Sequence, residues 1–90
     1  MIKLFKGDDG FYHLDFSALD ISKDYTVSDH VDPLHPDIIQ INVRRKCDSL
    51  GASVCFSVEE LKNVLVDHGC FLQYYIHNMI KGMPPINFDM

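Results

Sequence analysis

The sequence predicts an α+β fold. Two segments show period-two apolar alternation closed by turn residues, and a later segment carries apolar residues three or four apart behind a helix-capping signal. The expected arrangement is two β-hairpins in an antiparallel sheet. A long C-terminal helix packs on one face, with Gly69 as the place where it would break.

The first hairpin is read over residues 2–17. Ile2 and Leu4 alternate with Lys3 and Phe5, and Gly7-Asp8-Asp9-Gly10 supplies turn geometry and positive φ. Tyr12, Leu14 and Phe16 then alternate with His13, Asp15 and Ser17. Residues 18–37 are less regular. Tyr25-Thr26-Val27 reads as a short strand, and His30 to Asp37 as loop, because Pro33 and Pro36 forbid helix and central strand alike.

Ile38 to Arg45 is the strongest strand signal. It is β-branched, with Ile39, Ile41 and Val43 on one face and Gln40, Asn42 and Arg44 on the other. Asp48-Ser49-Leu50-Gly51 is a turn, and Ala52 to Phe56 returns as the second strand of a hairpin over 38–56.

Ser57-Val58-Glu59-Glu60 is a capping box, in which the Ser57 hydroxyl accepts the Glu60 amide and Glu60 reaches back to the Ser57 amide. A helix should follow from 58 to about 81. Its core stripe is Val58, Leu61, Leu65, His68, Leu72, Tyr75, Ile76 and Met79. It should end at Gly82, before Pro84-Pro85 and a tail over 83–90. Residues 71–77 carry a competing strand signal, because Phe, Tyr and Ile favour strands.

The four segments, 1–37, 38–56, 57–82 and 83–90, fit one domain. An apolar fraction of 47% suits a globular chain and not a disordered one. No run of eighteen apolar residues spans a membrane. Met1 to Lys6 has no apolar signal region, so no secretory leader and a cytoplasmic location are expected. Cys47, Cys55 and Cys70 are odd in number and match no C-x-x-C spacing, which points to buried reduced thiols. A Cys47–Cys55 bridge across the second hairpin is the alternative.

The net charge of −5 resides entirely in the first 37 residues. Asp8, Asp9, Asp15, Asp20, Asp24, Asp29, Asp32 and Asp37 stand there against Lys3, Lys6 and Lys23, while acids and bases balance from residue 38 onward. Such an acidic half is expected to meet a positive surface. Short carboxylates on strands and turns can present a phosphate-like array to the cationic channel of a nucleic-acid enzyme. They serve equally as turn formers and solvated surface. Arg44-Arg45-Lys46 is the one basic cluster; in a chain of this charge it should pair with the protein's own aspartates rather than with phosphates.

Two further constellations stand out. Val66, Cys70, Tyr74 and His77 repeat on the helix face opposite the core stripe. They would be covered by residues 18–37 or the tail, or would form a self-association or partner face. His30, Asp32, His35 and Asp37 crowd one loop. Those residue types suit Zn²⁺ or a similar ion, but the spacing matches no metal motif, and solvated turn residues are the simpler reading. No catalytic or nucleotide-binding motif is present, so no cofactor is expected.

In size, acidity and lack of motifs the chain is similar to the small inhibitors of phages and mobile elements, of the anti-CRISPR and anti-restriction type. The likeness is one of class and carries no residue across. The expected function is non-catalytic protein binding, as an inhibitor of a basic nucleic-acid-processing enzyme, with no direct contact to nucleic acid or membrane. A small oligomeric structural or adaptor protein, such as a homodimer associating through the helix, is the alternative, and a small metal-using enzyme the third reading.

Overall fold

Two tight turns set the topology of the computed structural model, which describes residues 2–67 and 70–84. The first joins β1 (Lys3–Lys6) to β2 (Tyr12–Asp15), which pair antiparallel with Leu4 opposite Leu14. Gly10 supplies the positive φ of that turn, at 87°. The second turn joins β4 (Ile38–Arg45) to β5 (Gly51–Ser57), with Ile41 opposite Val54. Ser49 takes the left-handed conformation there, at φ 60°.

The α+β class and the antiparallel pairing are as expected. The two hairpins, however, form separate sheets. The strand signal at Tyr25–Val27 extends to β3 (Tyr25–His30), which pairs with β4 to give the order β3-β4-β5. Between β2 and β3 the link is made by a side chain: the Asp29 carboxylate accepts the Leu14 amide at 3.3 Å, where a ladder would use carbonyls.

The helical segment is two helices, α1 (Val58–Asp67) and α2 (Phe71–Gly82). The expected long helix is divided between Asp67 and Phe71, the stretch where Gly69 allows a break, and the strand signal over 71–77 gives way to helix. A straight helix from 58 to 81 would run about 36 Å, longer than the ~27 Å of an eight-residue strand beneath it. Dividing it lets α1 lie against β1 and β5 while α2 lies against β4. His68 and Gly69 lie outside the described residues.

The core is one cluster: Ile2, Leu14, Ile39, Ile41, Val43, Val58, Leu61, Leu72 and Ile76. It joins the inner face of β4 to the predicted stripe of the helices. Each such aliphatic side chain contributes about 1.5–3 kcal/mol on burial. Arg45 shares that inner face and is only 4% exposed. Its Nε and Nη2 donate to Asp48, and its Nη1 donates to the Pro84 carbonyl at 2.6 Å.

The Ser57 hydroxyl accepts the Glu60 amide at 3.0 Å, so the predicted cap forms. Among the described residues only this half of the capping box is made. Ser57 is also the last residue of β5, so strand passes into helix directly.

Candidate functional site

Three of the eight aspartates of the first 37 residues are turn formers. A carboxylate oxygen accepts the amide two residues on at Asp9 (Phe11, 2.9 Å), Asp15 (Ser17, 2.9 Å) and Asp32 (Leu34, 3.0 Å). Asp48 does the same for Leu50. These bonds hold the Asp9 and Asp15 carboxyls below the usual range, Asp9 through the Phe11 amide first and then His13.

His13 is the hub of the first turn. Its Nε2 lies 2.9 Å from an Asp9 oxygen and its Nδ1 3.2 Å from Asp29. Gly7 makes room for the ring: a Cβ there would stand 2.7 Å from His13 Cδ2. The bond to Asp9, then that to Asp29, pushes the imidazole upward in pKa, with partial burial opposing.

Among the described residues, His13 is the one partner that pairs with an acid of the first 37 residues, namely Asp9 and Asp29. Asp8, Asp15, Asp20, Asp24, Asp32 and Asp37 are exposed and make no ion pair among the described residues, though Lys3 stands opposite Asp15 across the β1–β2 ladder and its charge helps lower that carboxyl's pKa. The basic cluster meets its expected pairing with the protein's own aspartates in part. Arg45 pairs with Asp48, while Arg44 and Lys46 make no ion pair among the described residues. The reason is position: strand alternation turns Arg45 to the core and its neighbours to solvent.

A shallow depression of about 380 Å³ lies where the first turn, the proline-containing loop and the start of α1 meet; Lys6, Gly10, Tyr12, Asp37 and Glu59 are among its walls. Asp8 and Asp9 lie on the adjoining turn. Asp20 and Asp24 belong to the β2–β3 connection, where the Lys46 amide donates to the Asp24 carbonyl, and Asp15 ends β2.

Leu34 stands out on the proline-containing loop. It is 84% exposed, on a loop pinned by the Asp32–Leu34 bond and flanked by Pro33 and Pro36. Sequence reading did not single it out. Its signal was an isolated leucine between two prolines. Tyr12 was likewise missed as a surface feature: the Lys62 ammonium sits 4.9 Å from its ring centre.

His30, Asp32 and His35 line a second depression, of about 330 Å³, with Ile38, Gln40 and Cys55. Asp37 belongs to the first depression instead. Among the described residues no three His, Cys, Asp or Glu side chains are placed to hold a metal ion.

On the helix face, Cys70 and Tyr74 are exposed, Tyr74 at 70%, and His77 is half-buried. Residues 18–37 do not cover Tyr74. The Val66 side chain lies outside those described. All three cysteines are free and exposed, which corrects their expected burial and removes the Cys47–Cys55 bridge. Cys55 and Cys47 fall on the solvent side of β5 and on its preceding turn, and Cys70 heads α2.

No family model, curated protein or solved structure matches the chain. Among the described residues no helix is long and apolar enough to cross a membrane.

Proposed function

We propose that this chain is a non-catalytic module that binds a basic protein surface through its acidic half, and that it inhibits a nucleic-acid-processing enzyme of the host in which a phage or mobile element resides. The observation that carries the reading is the set of six exposed aspartates without an ion pair among the described residues. A net negative field of this kind favours cationic partners and accelerates their encounter. Leu34 adds the apolar anchor that a protein interface needs at its centre, with Asp32 and Asp37 as its charged rim.

The test captures a partner with the purified chain and then titrates that partner at low and high salt. The double variant Asp8→Asn with Asp37→Asn should slow association and flatten its salt dependence. Leu34→Ala should speed dissociation and weaken binding by about tenfold or more. The partner's own nucleic acid should compete. Binding that ignores salt and both variants overturns the reading.

A further inference from the structure

We infer that the Asp9–Gly10 peptide bond is the place where this chain isomerises spontaneously to an isoaspartyl linkage, and that His13 holds the rate of that step down. The inference goes beyond the acidic-surface reading and does not depend on it, because no partner takes part.

The reaction needs no reagent but water. The backbone nitrogen of the following residue attacks the aspartyl Cγ. One carboxyl oxygen leaves as water, taking the N–H proton and the carboxyl proton. Water then opens the five-membered imide at either carbonyl. Opening at the side-chain carbonyl restores aspartate. Opening at the backbone carbonyl leaves the chain running through the side chain, with mass and charge unchanged. A side chain on the following residue obstructs the attack, so an aspartate or asparagine before glycine is the most reactive pair. Asp9-Gly10 is the only such pair in the sequence, and Asp48-Ser49 is the next least hindered.

The fold holds the reacting atoms within one turn. The Asp9 carboxylate accepts the Phe11 amide at 2.9 Å, and the ring closed by that bond contains both Asp9 Cγ and the Gly10 nitrogen. Nothing beyond its chain neighbours stands within 4 Å of where a Cβ on Gly10 would lie, so the turn is open to water there.

The same turn restrains the step. The Gly10 amide donates to the Gly7 carbonyl at 3.0 Å, so the proton that must be lost is engaged. His13 Nε2 lies 2.9 Å from one Asp9 oxygen and 3.1 Å from the other. Hydrogen bonds to a carboxylate favour its ionised form, which resists the nitrogen and carries no proton to leave with. Asp29, on the other ring nitrogen, keeps the imidazole in that position. Release of Asp9 by His13 is therefore the opening that the reaction requires. The product has one more carbon in the backbone between residues 9 and 10. The bonds that close the turn, Gly10 to Gly7 and Gly7 to Phe11, then lose their spacing. His13 is left with Asp29 alone, so the clamp between hairpin and β3 loosens while the net charge stays at −5.

The experiment ages the full folded chain at constant pH and temperature. Isoaspartyl carboxylates are then labelled with an isoaspartyl methyltransferase and S-adenosylmethionine, and located by peptide mapping. Label should appear at Asp9 alone, more slowly than at the same position in the denatured chain. Asp9→Glu keeps the charge but would have to close a six-membered ring, and should remove the label. His13→Gln should raise the labelling rate at Asp9 several-fold. Asp48 serves as the internal gauge of general opening and should label no faster in that variant. Absence of label at Asp9 in both the parent and His13→Gln, over a time that labels the denatured chain, overturns the inference. So does a His13→Gln rate equal to or below the parent's, as an imidazole donating its proton to the leaving oxygen would give. Acceleration at Asp9 that Asp48 shares overturns it too.

Discussion

His13 and Asp29, sixteen residues apart in sequence, meet at 3.2 Å and join the two sheets through side chains. Because Asp9 holds the other ring nitrogen, one imidazole fastens its own turn and the neighbouring sheet together.

This relationship makes stability depend on pH. The folded-state pKa of His13 is raised above its ordinary 6.5, so its contribution is full below 6.5 and is lost as pH rises through the raised value. Asp9 is lowered from 3.8, so its contribution is full above 3.8 and is lost as pH falls through the lowered value. Thermal melts should therefore weaken as pH rises above 6.5, and His13→Gln should flatten that slope. Added salt should reduce it too, since the pair is partly exposed. A parallel slope in parent and variant would contradict the assignment.

Arg45 should matter far more than its neighbours. Its guanidinium ties the β4–β5 turn, through Asp48, to the carbonyl of Pro84 beyond α2. Arg45→Ala leaves the Pro84 carbonyl without that donor and should lower the melting midpoint clearly. Arg44→Ala, on an exposed position, should change stability by no more than about 0.5 kcal/mol. Arg45→Lys should fail to rescue, because an ammonium cannot reproduce the planar fork. Equal melting curves for the two alanine variants would refute this ranking.

Loss of the Ser57 hydroxyl removes the acceptor for the Glu60 amide. Ser57→Ala should cost about 0.5–2 kcal/mol in denaturant unfolding, and Ser57→Asp should restore most of it. Leu72→Ala, at a side chain with no exposure, should cost about 2–5 kcal/mol. If the two costs were reversed in order, α2 would not be seated on the core as described.

Thiol chemistry gives a direct check of surface placement. A thiol reagent should label all three cysteines in the native protein, without denaturant or reductant. Labelling that requires unfolding would place one or more of them in the interior.

The sequence carried the hairpins, the cap and the core stripe because period and turn chemistry are local. What it hid depends on residues that break a local pattern for a distant partner. Tyr25, Val27 and Val31 alternate, and Asp29 interrupts that alternation, so β3 read as three residues instead of six. Asp29 sits there because His13 answers it. Arg45 likewise ends the apolar row Ile39, Ile41 and Val43, and its partner at Pro84 is thirty-nine residues away. The aspartates were visible as charge. Their service to backbone amides at Asp9, Asp15 and Asp32 was foreseeable from residue type, though the pairing of Asp29 with His13 required the tertiary fold. The free thiols were misjudged because cysteine's usual preference for burial says nothing about an individual position.

Ser57 ends a strand and caps a helix at once, so no residue between β5 and α1 is free to absorb a rotation. The joint is rigid where most strand-to-helix passages have a hinge. The axis of α1 is consequently fixed by the twist of β5, and a spacer placed between Ser57 and Val58 would swing the whole helix out of register with the sheet. The same spacer between Pro33 and His35 would lengthen a loop that already stands in solvent. Insertion tolerance along this chain should therefore change abruptly over some twenty residues, from forgiving at the exposed loop of Leu34 to intolerant at the buried joint before Val58.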